Sequence, residues 1–223
     1  MTRQALASPY QPAERRVLAR LRDPVAVQRF LNALPYNQEK RGETLRSPRG
    51  VLRHHTAHCL EAAIFAAAAL EQHGYPPLVM SLESEDKLDH VIFVYRSHGR
   101  WGSVARSRDP GLHGRKPLFR TLRDLALSYV DPYVDATGRI VGYGRYDLRQ
   151  LGRYDWRTSE KNIWKVEQVL IDLPHRRIHT ADHRIDRLRR RYHAFKAAHP
   201  DRRPVEIYCG RERWSELPRQ FML

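Results

Sequence analysis

The sequence predicts an α+β fold, and three stretches carry that reading. Cys59 to Gln72 has no charged or polar residue between Ala62 and Leu70, the pattern of a helix buried on every side. His90-Val91-Ile92-Phe93-Val94-Tyr95 gathers the β-branched and aromatic residues of a strand. Ser97-His98-Gly99-Arg100 is a turn, from which Trp101 to Ala105 returns as the second arm of a hairpin. Helix, strand and hairpin in succession form an α+β order with an antiparallel sheet.

The remaining elements follow in chain order. Ala13 to Leu21 reads as a first short helix. Asp23 caps a second that starts at Pro24, with Val25, Val27, Phe30, Leu31 and Leu34 on its apolar face. Tyr36 to Val51 is polar and contains Gly42, Pro48 and Gly50, so it reads as loop. Thr56 is a suitable N-cap for the apolar helix. Gly74 suits its left-handed exit, and Pro76-Pro77 prevent continuation. Leu78-Val79-Met80 follows as a short buried strand. Thr121 to Val130 carries Leu122, Leu125, Ala126 and Tyr129 at helical spacing. Beyond Asp131 the expectation is a strand over Ile140–Tyr146, helices over Glu160–Leu170 and Asp182–Ala198, and a short strand over Val205–Tyr208. Trp156 and Trp164 are expected to anchor this last part on the core.

Composition narrows the class. The chain has 223 residues with 41% hydrophobic and 9% aromatic residues, enough for a packed core. Its nine-residue apolar run is too short for a membrane span, which needs about 18 residues, and Pro9, Glu14, Arg15 and Arg16 interrupt any secretory leader. A cytoplasmic protein is expected. Cys59 and Cys209 are the only cysteines, which excludes a disulfide scaffold and a multi-cysteine zinc domain. The net charge of +15 is concentrated in the second half, and 34 of the 40 basic residues are arginine. Such a surface attracts nucleic acid or acidic proteins, but no nucleic-acid motif accompanies it. Arg187, Arg189, Arg190 and Arg191 therefore read as a solvated helix face.

A cysteine in an alanine-rich helix is ordinarily an inert core residue. Its pairing with a histidine singles this one out. Cys59 stands at the start of the buried helix, where free amides and the helix dipole favour a thiolate. His90 opens the next long strand, and a strand packed on that helix brings an imidazole to the sulfur as general base. His54 and His58 are four apart, with Cys59 adjacent, and resemble half a metal site without a third ligand. No metal or organic cofactor is assigned.

The stretches His58-Cys59-Leu60-Glu61-Ala62-Ala63, Gly74-Tyr75-Pro76-Pro77-Leu78-Val79, Asp89-His90-Val91-Ile92-Phe93-Val94 and Gly99-Arg100-Trp101 together resemble the transglutaminase-like superfamily, relatives of papain-type cysteine proteases. The resemblance covers about a quarter of the chain, from Ala57 to Pro110. It implies a transglutaminase-like core over residues 51–150, a helical N-terminal extension over 1–50 packed on that core, and a basic mixed helix/strand part of the same domain over 151–223. It further implies acyl transfer or hydrolysis of an amide or ester in a peptide or protein substrate, with Cys59 as nucleophile and His90 as base.

The family's third residue, an aspartate, has no clean match. Its place falls at Ala105, and the nearest acid is Asp109 in Ser107-Arg108-Asp109-Pro110. Asp109 is the expected orienter of His90, with Ser107, a backbone carbonyl or a bare dyad as alternatives. Asp89 adjoins His90 and should point to the opposite face. A second reading keeps the fold without catalysis, as a binding module whose basic half contacts an acidic partner or nucleic acid.

Overall fold

The computed structural model describes residues 9–40 and 42–201. The expected strand Val205–Tyr208 and Cys209 lie outside them. Among the described residues are seven α-helices and one six-stranded sheet, antiparallel throughout. Three helices, α1 (Pro12–Leu18), α2 (Pro24–Ala33) and α3 (Pro48–His54), precede the apolar α4 (Cys59–Glu71). Next come β1 (Leu78–Ser84), β2 (His90–Ser97), β3 (Arg100–Val104), β4 (Arg115–Phe119), α5 (Leu122–Tyr133) and β5 (Ile140–Asp147). The chain continues through α6 (Trp164–Ile171), β6 (Arg176–Arg177) and α7 (Asp182–Ala198). The strand order is β4-β3-β2-β1-β5-β6.

Both faces of the central strands are covered, which explains why β2 is an unbroken apolar run rather than an alternating one. Val91, Phe93 and Tyr95 face a core built with α4, while Ile92 and Val94 face a second core with Leu125, Ala126 and Tyr129 of α5. Leu60 to Leu70 of α4 are all buried. The alanines at 62, 63 and 66 to 69 let neighbouring backbones come close, and Phe65 fills the remaining space by stacking on Phe30 with centroids 5.1 Å apart. Leu18, Val27 and Leu31 from the N-terminal helices, and Trp156, Ile163 and Val166 from the later chain, join this same core.

Several expectations are corrected. The segment read as loop ends in the first turn of α3, capped by Ser47, whose hydroxyl accepts the Gly50 N–H at 3.2 Å, with Pro48 opening the helix. The glycine and proline that suggested loop are here a first-turn proline and a close-packed residue. The α4 cap is His58, not Thr56, which makes Cys59 the first helical residue. Val25 is exposed, and the polar Gln28 takes the buried position on α2. Trp156 is buried as expected, but Trp164 is 39% exposed. Arg189 of the α7 run folds back, donating to the Thr137 carbonyl at 2.8 Å. Strand β4 escaped notice because Pro117 and its short polar alternation suit only a sheet edge.

Gln28 ties α2 to the β3 exit. Its Nε2 donates to the Ala105 carbonyl at 2.8 Å, and its Oε1 accepts the N–H groups of Ala105 and Gly114 at 3.0 and 3.2 Å. A Cβ on Gly114 would lie 2.3 Å from that Oε1 and 2.4 Å from the Ser103 carbonyl. Gly114→Ala is therefore expected to cost about 2–3 kcal/mol, read from urea denaturation. A change below about 0.5 kcal/mol would show the contact to be soft.

Candidate active site

The start of α4 is fixed by the chain before it. The Ala57 carbonyl accepts the Asn37 N–H at 3.2 Å, and the Ala57 N–H donates to the Pro35 carbonyl. This holds the approach extended until His58, at φ −90° and ψ −177°, hands over to the helix. Glu61, three residues on, accepts the His58 N–H at 3.1 Å. Cys59 thus occupies the helix's first residue, where backbone N–H groups lack intrahelical acceptors. Its side chain is half-buried while the turn beneath it is closed.

Two imidazoles meet at the sulfur. His90, the first residue of β2, is 3% exposed, and its Nε2–H donates to the Leu112 carbonyl at 3.0 Å. That acceptor keeps the proton on Nε2 and leaves Nδ1 to serve the thiol. The ring rests against Tyr129 of α5, with centroids 5.9 Å apart. His58 approaches from the other side. Its Nε2–H donates to the Thr44 carbonyl at 3.0 Å and lies 3.7 Å from the buried Glu61 carboxylate.

Burial opposes ionisation of Cys59, but hydrogen bonding to His58 and His90 and the charges of both rings hold its thiol well below the ordinary range. Burial likewise opposes the charged form of His58, yet Cys59, Glu61 and the Thr44 carbonyl raise it to about 9. The two shifts run in the directions that favour a thiolate beside an imidazolium. Nearby, burial and the Cys59 charge push the half-buried Tyr36 phenol up, so it stays protonated.

Cys59, His90 and Asp109 line one pocket of about 310 Å³, together with Tyr36, Asp89 and Leu112. Asp109 enters the pocket, but the hydrogen bond expected between it and His90 is absent; the Leu112 carbonyl takes that place. The Asp109 backbone carbonyl accepts the Leu112 N–H at 2.9 Å and closes the turn that presents Leu112. The Ser107 hydroxyl accepts the Asp109 N–H at 3.1 Å. Asp89 turns away, accepting the Ser84 N–H at 2.8 Å.

The turn has a rigid backing. Arg115 is fully buried and donates to the carbonyls of Gly111 and His113 at 2.7 and 2.5 Å, with its guanidinium 4.2 Å from the Tyr129 ring. Its Nε has no partner, and its charge is met by carbonyl dipoles and the ring face rather than by a carboxylate.

No family model and no curated protein matches the chain. Among the described residues, no three His, Cys, Asp or Glu side chains are placed to hold a metal ion. None of their helices is long and apolar enough to cross a membrane.

The structure brings Cys59 and His90 together, and it adds a second imidazole, His58, that the sequence does not single out for the thiol. In the sequence His58 stands with His54 as half a metal site. The structure separates them: His54 ends α3, His55 is left-handed at φ 52°, and His58 begins afresh at α4. The readable signal was the spacing His58-x-x-Glu61, a capping pattern that puts a carboxylate beside whatever precedes the helix.

Proposed function

We propose that the chain is a transglutaminase-like cysteine acyl transferase or hydrolase acting on an amide or ester of a peptide or protein. The observation that carries this reading is the Cys59 thiol at the head of a buried helix, between His58 and His90, with His90 held by the Leu112 carbonyl. The thiolate attacks the carbonyl carbon, forming a C–S bond as the π electrons move to oxygen. The Cys59 backbone N–H, which contacts the Tyr36 phenol, is assigned to the developing oxyanion. Collapse expels the leaving amine or alcohol, which takes from His90 Nδ1 the proton that this ring received from the Cys59 thiol, and an acyl-thioester remains. Water or an amine then attacks the thioester, passing its proton to His90 as the sulfur leaves. His58 stays protonated and stabilises the thiolate at the start and end of the cycle.

The first test is alkylation of the folded protein. An ordinary thiol is only about 3% ionised at pH 7. Iodoacetamide is expected to modify Cys59 at a rate that stays near its plateau through neutral pH. A rate falling tenfold per pH unit across neutrality, or modification only on unfolding, would mark Cys59 as a core residue. The second test is an activated ester: a burst of leaving group, with the acyl group found on Cys59 by mass spectrometry.

A further inference from the structure

Eight arginines pair with acids among the described residues. Arg49 pairs with Glu14, Arg157 with Glu71, Arg177 with Glu83 and Arg184 with Asp131, at 2.6 to 3.1 Å. Another group of arginines gathers in one groove without acids. On the sheet face that carries α5, a groove of about 640 Å³ is lined by Arg120, Arg123, Arg145 and Arg176, with Trp101 and Tyr143 among its walls and no acidic residue. All four arginines are exposed. Arg120, Arg123 and Arg176 make no side-chain hydrogen bond or ion pair among the described residues. Arg145 has only the field of Asp147, whose carboxylate is already gripped by Arg149.

The sheet register explains the convergence. Tyr143 and Arg145 are two apart on β5 and so share a face, and Arg176 of β6 stands directly opposite Tyr143. Across the sheet, Trp101 of β3 packs with the same core as Tyr143. Arg120 and Arg123 flank Thr121, the cap of α5, at the other side of the opening. The four arginines therefore line one groove, two from the β5–β6 side and two from the junction of β4 and α5. Holding four like charges together without counter-charge is unfavourable, and it is the arrangement a polyanion relieves.

We infer that this groove binds a small ligand bearing paired phosphate groups, neutralised by the four arginines that line it. Charge and shape select that class. Each phosphate monoester carries up to about two negative charges, so two phosphates balance four guanidinium groups, where carboxylates would have to supply four separate groups. Guanidinium forks also match phosphate oxygens two at a time. The volume lies within the range of ligand sites, about 300–1,000 Å³. The groove shares no lining residue with the thiol pocket, so this inference does not depend on the acyl-transfer reading.

The test is calorimetric titration of the full chain with inorganic pyrophosphate at about physiological ionic strength, with a tricarboxylate and a single-stranded oligonucleotide as comparison ligands. Saturable binding of one pyrophosphate is expected, weakened about tenfold or more by Arg145→Gln and again by Arg123→Gln. Both positions are on the surface, and an unchanged rate of Cys59 alkylation would verify that the variants are folded. Three results would overturn the inference: no saturable pyrophosphate binding, binding indifferent to both substitutions, or equal affinity for the tricarboxylate. An oligonucleotide that binds more tightly than pyrophosphate, and whose affinity falls with salt as several phosphate contacts require, would overturn it in favour of a nucleic-acid surface.

Discussion

His90→Ala is expected to lower turnover by about 10³-fold, while Asp109→Asn leaves it within a factor of about three. The first figure follows from the role of the ring. In the proposed acyl transfer, no other group is assigned to protonate the leaving amine once the ring is removed. His58 does not take over, because its Nε2 is committed to the Thr44 carbonyl and its charge is set by Glu61 as well as by the thiolate. The second figure follows from a hydrogen bond. His90 is oriented through Leu112, and the part of Asp109 that supports Leu112 is its backbone carbonyl, which asparagine retains. Steady-state rates on any turned-over ester would decide it. A loss of two orders of magnitude in Asp109→Asn would restore the carboxylate as the orienter of His90. An unchanged rate in His90→Ala would remove His90 from the chemistry.

This contrast also shows which parts of the site the sequence made legible. Cys59 and His90 could be read because each stands at the start of an element with a strong local signature: a charge-free run for α4 and a β-branched run for β2. An orienter that is a main-chain carbonyl leaves no mark, since every residue has one. Leu112 is chosen by the turn around it, and that turn is held by Arg115, whose burial no periodicity predicts. The same reason applies to fold elements. α7 was placed to the residue by its pattern and flanks, whereas α3 hid behind a proline and a glycine, and β4 behind Pro117. Where long-range contacts decide conformation, as with Gln28 in place of Val25 on the buried side of α2, local pattern points to the wrong residue.

Glu61→Leu is expected to cost about 3–5 kcal/mol of stability. The Glu61 side chain is completely buried, and its carboxylate collects the Arg46 and His58 N–H groups at 2.9 and 3.1 Å, the Asn37 amide at 3.1 Å and the Thr44 hydroxyl at 3.3 Å. Leucine fills a similar volume but accepts nothing, so four donors and the nearby imidazolium lose their acceptor at once. Glu61→Gln keeps one oxygen and turns an amide toward donors, and should fall between leucine and wild type. Urea denaturation at neutral pH measures both; a loss under about 1 kcal/mol for leucine would mean that water enters and replaces the carboxylate. The substitution also has a chemical readout. Folding raises the His58 pKa from 6.5 to about 9, so while Cys59 is ionised this group's stabilising effect is complete below its unfolded value and is lost as the pH climbs through about 9. With Glu61 neutralised, one cause of the rise is removed and the upper limit of that window moves down. The thiolate then loses its neighbouring cation earlier, and the alkylation profile of Glu61→Gln should show the imidazolium's departure at lower pH than in wild type. A profile superimposable on wild type would show that Glu61 serves only the packing of the loop around Thr44, and that the cation at the sulfur is set by Cys59 alone.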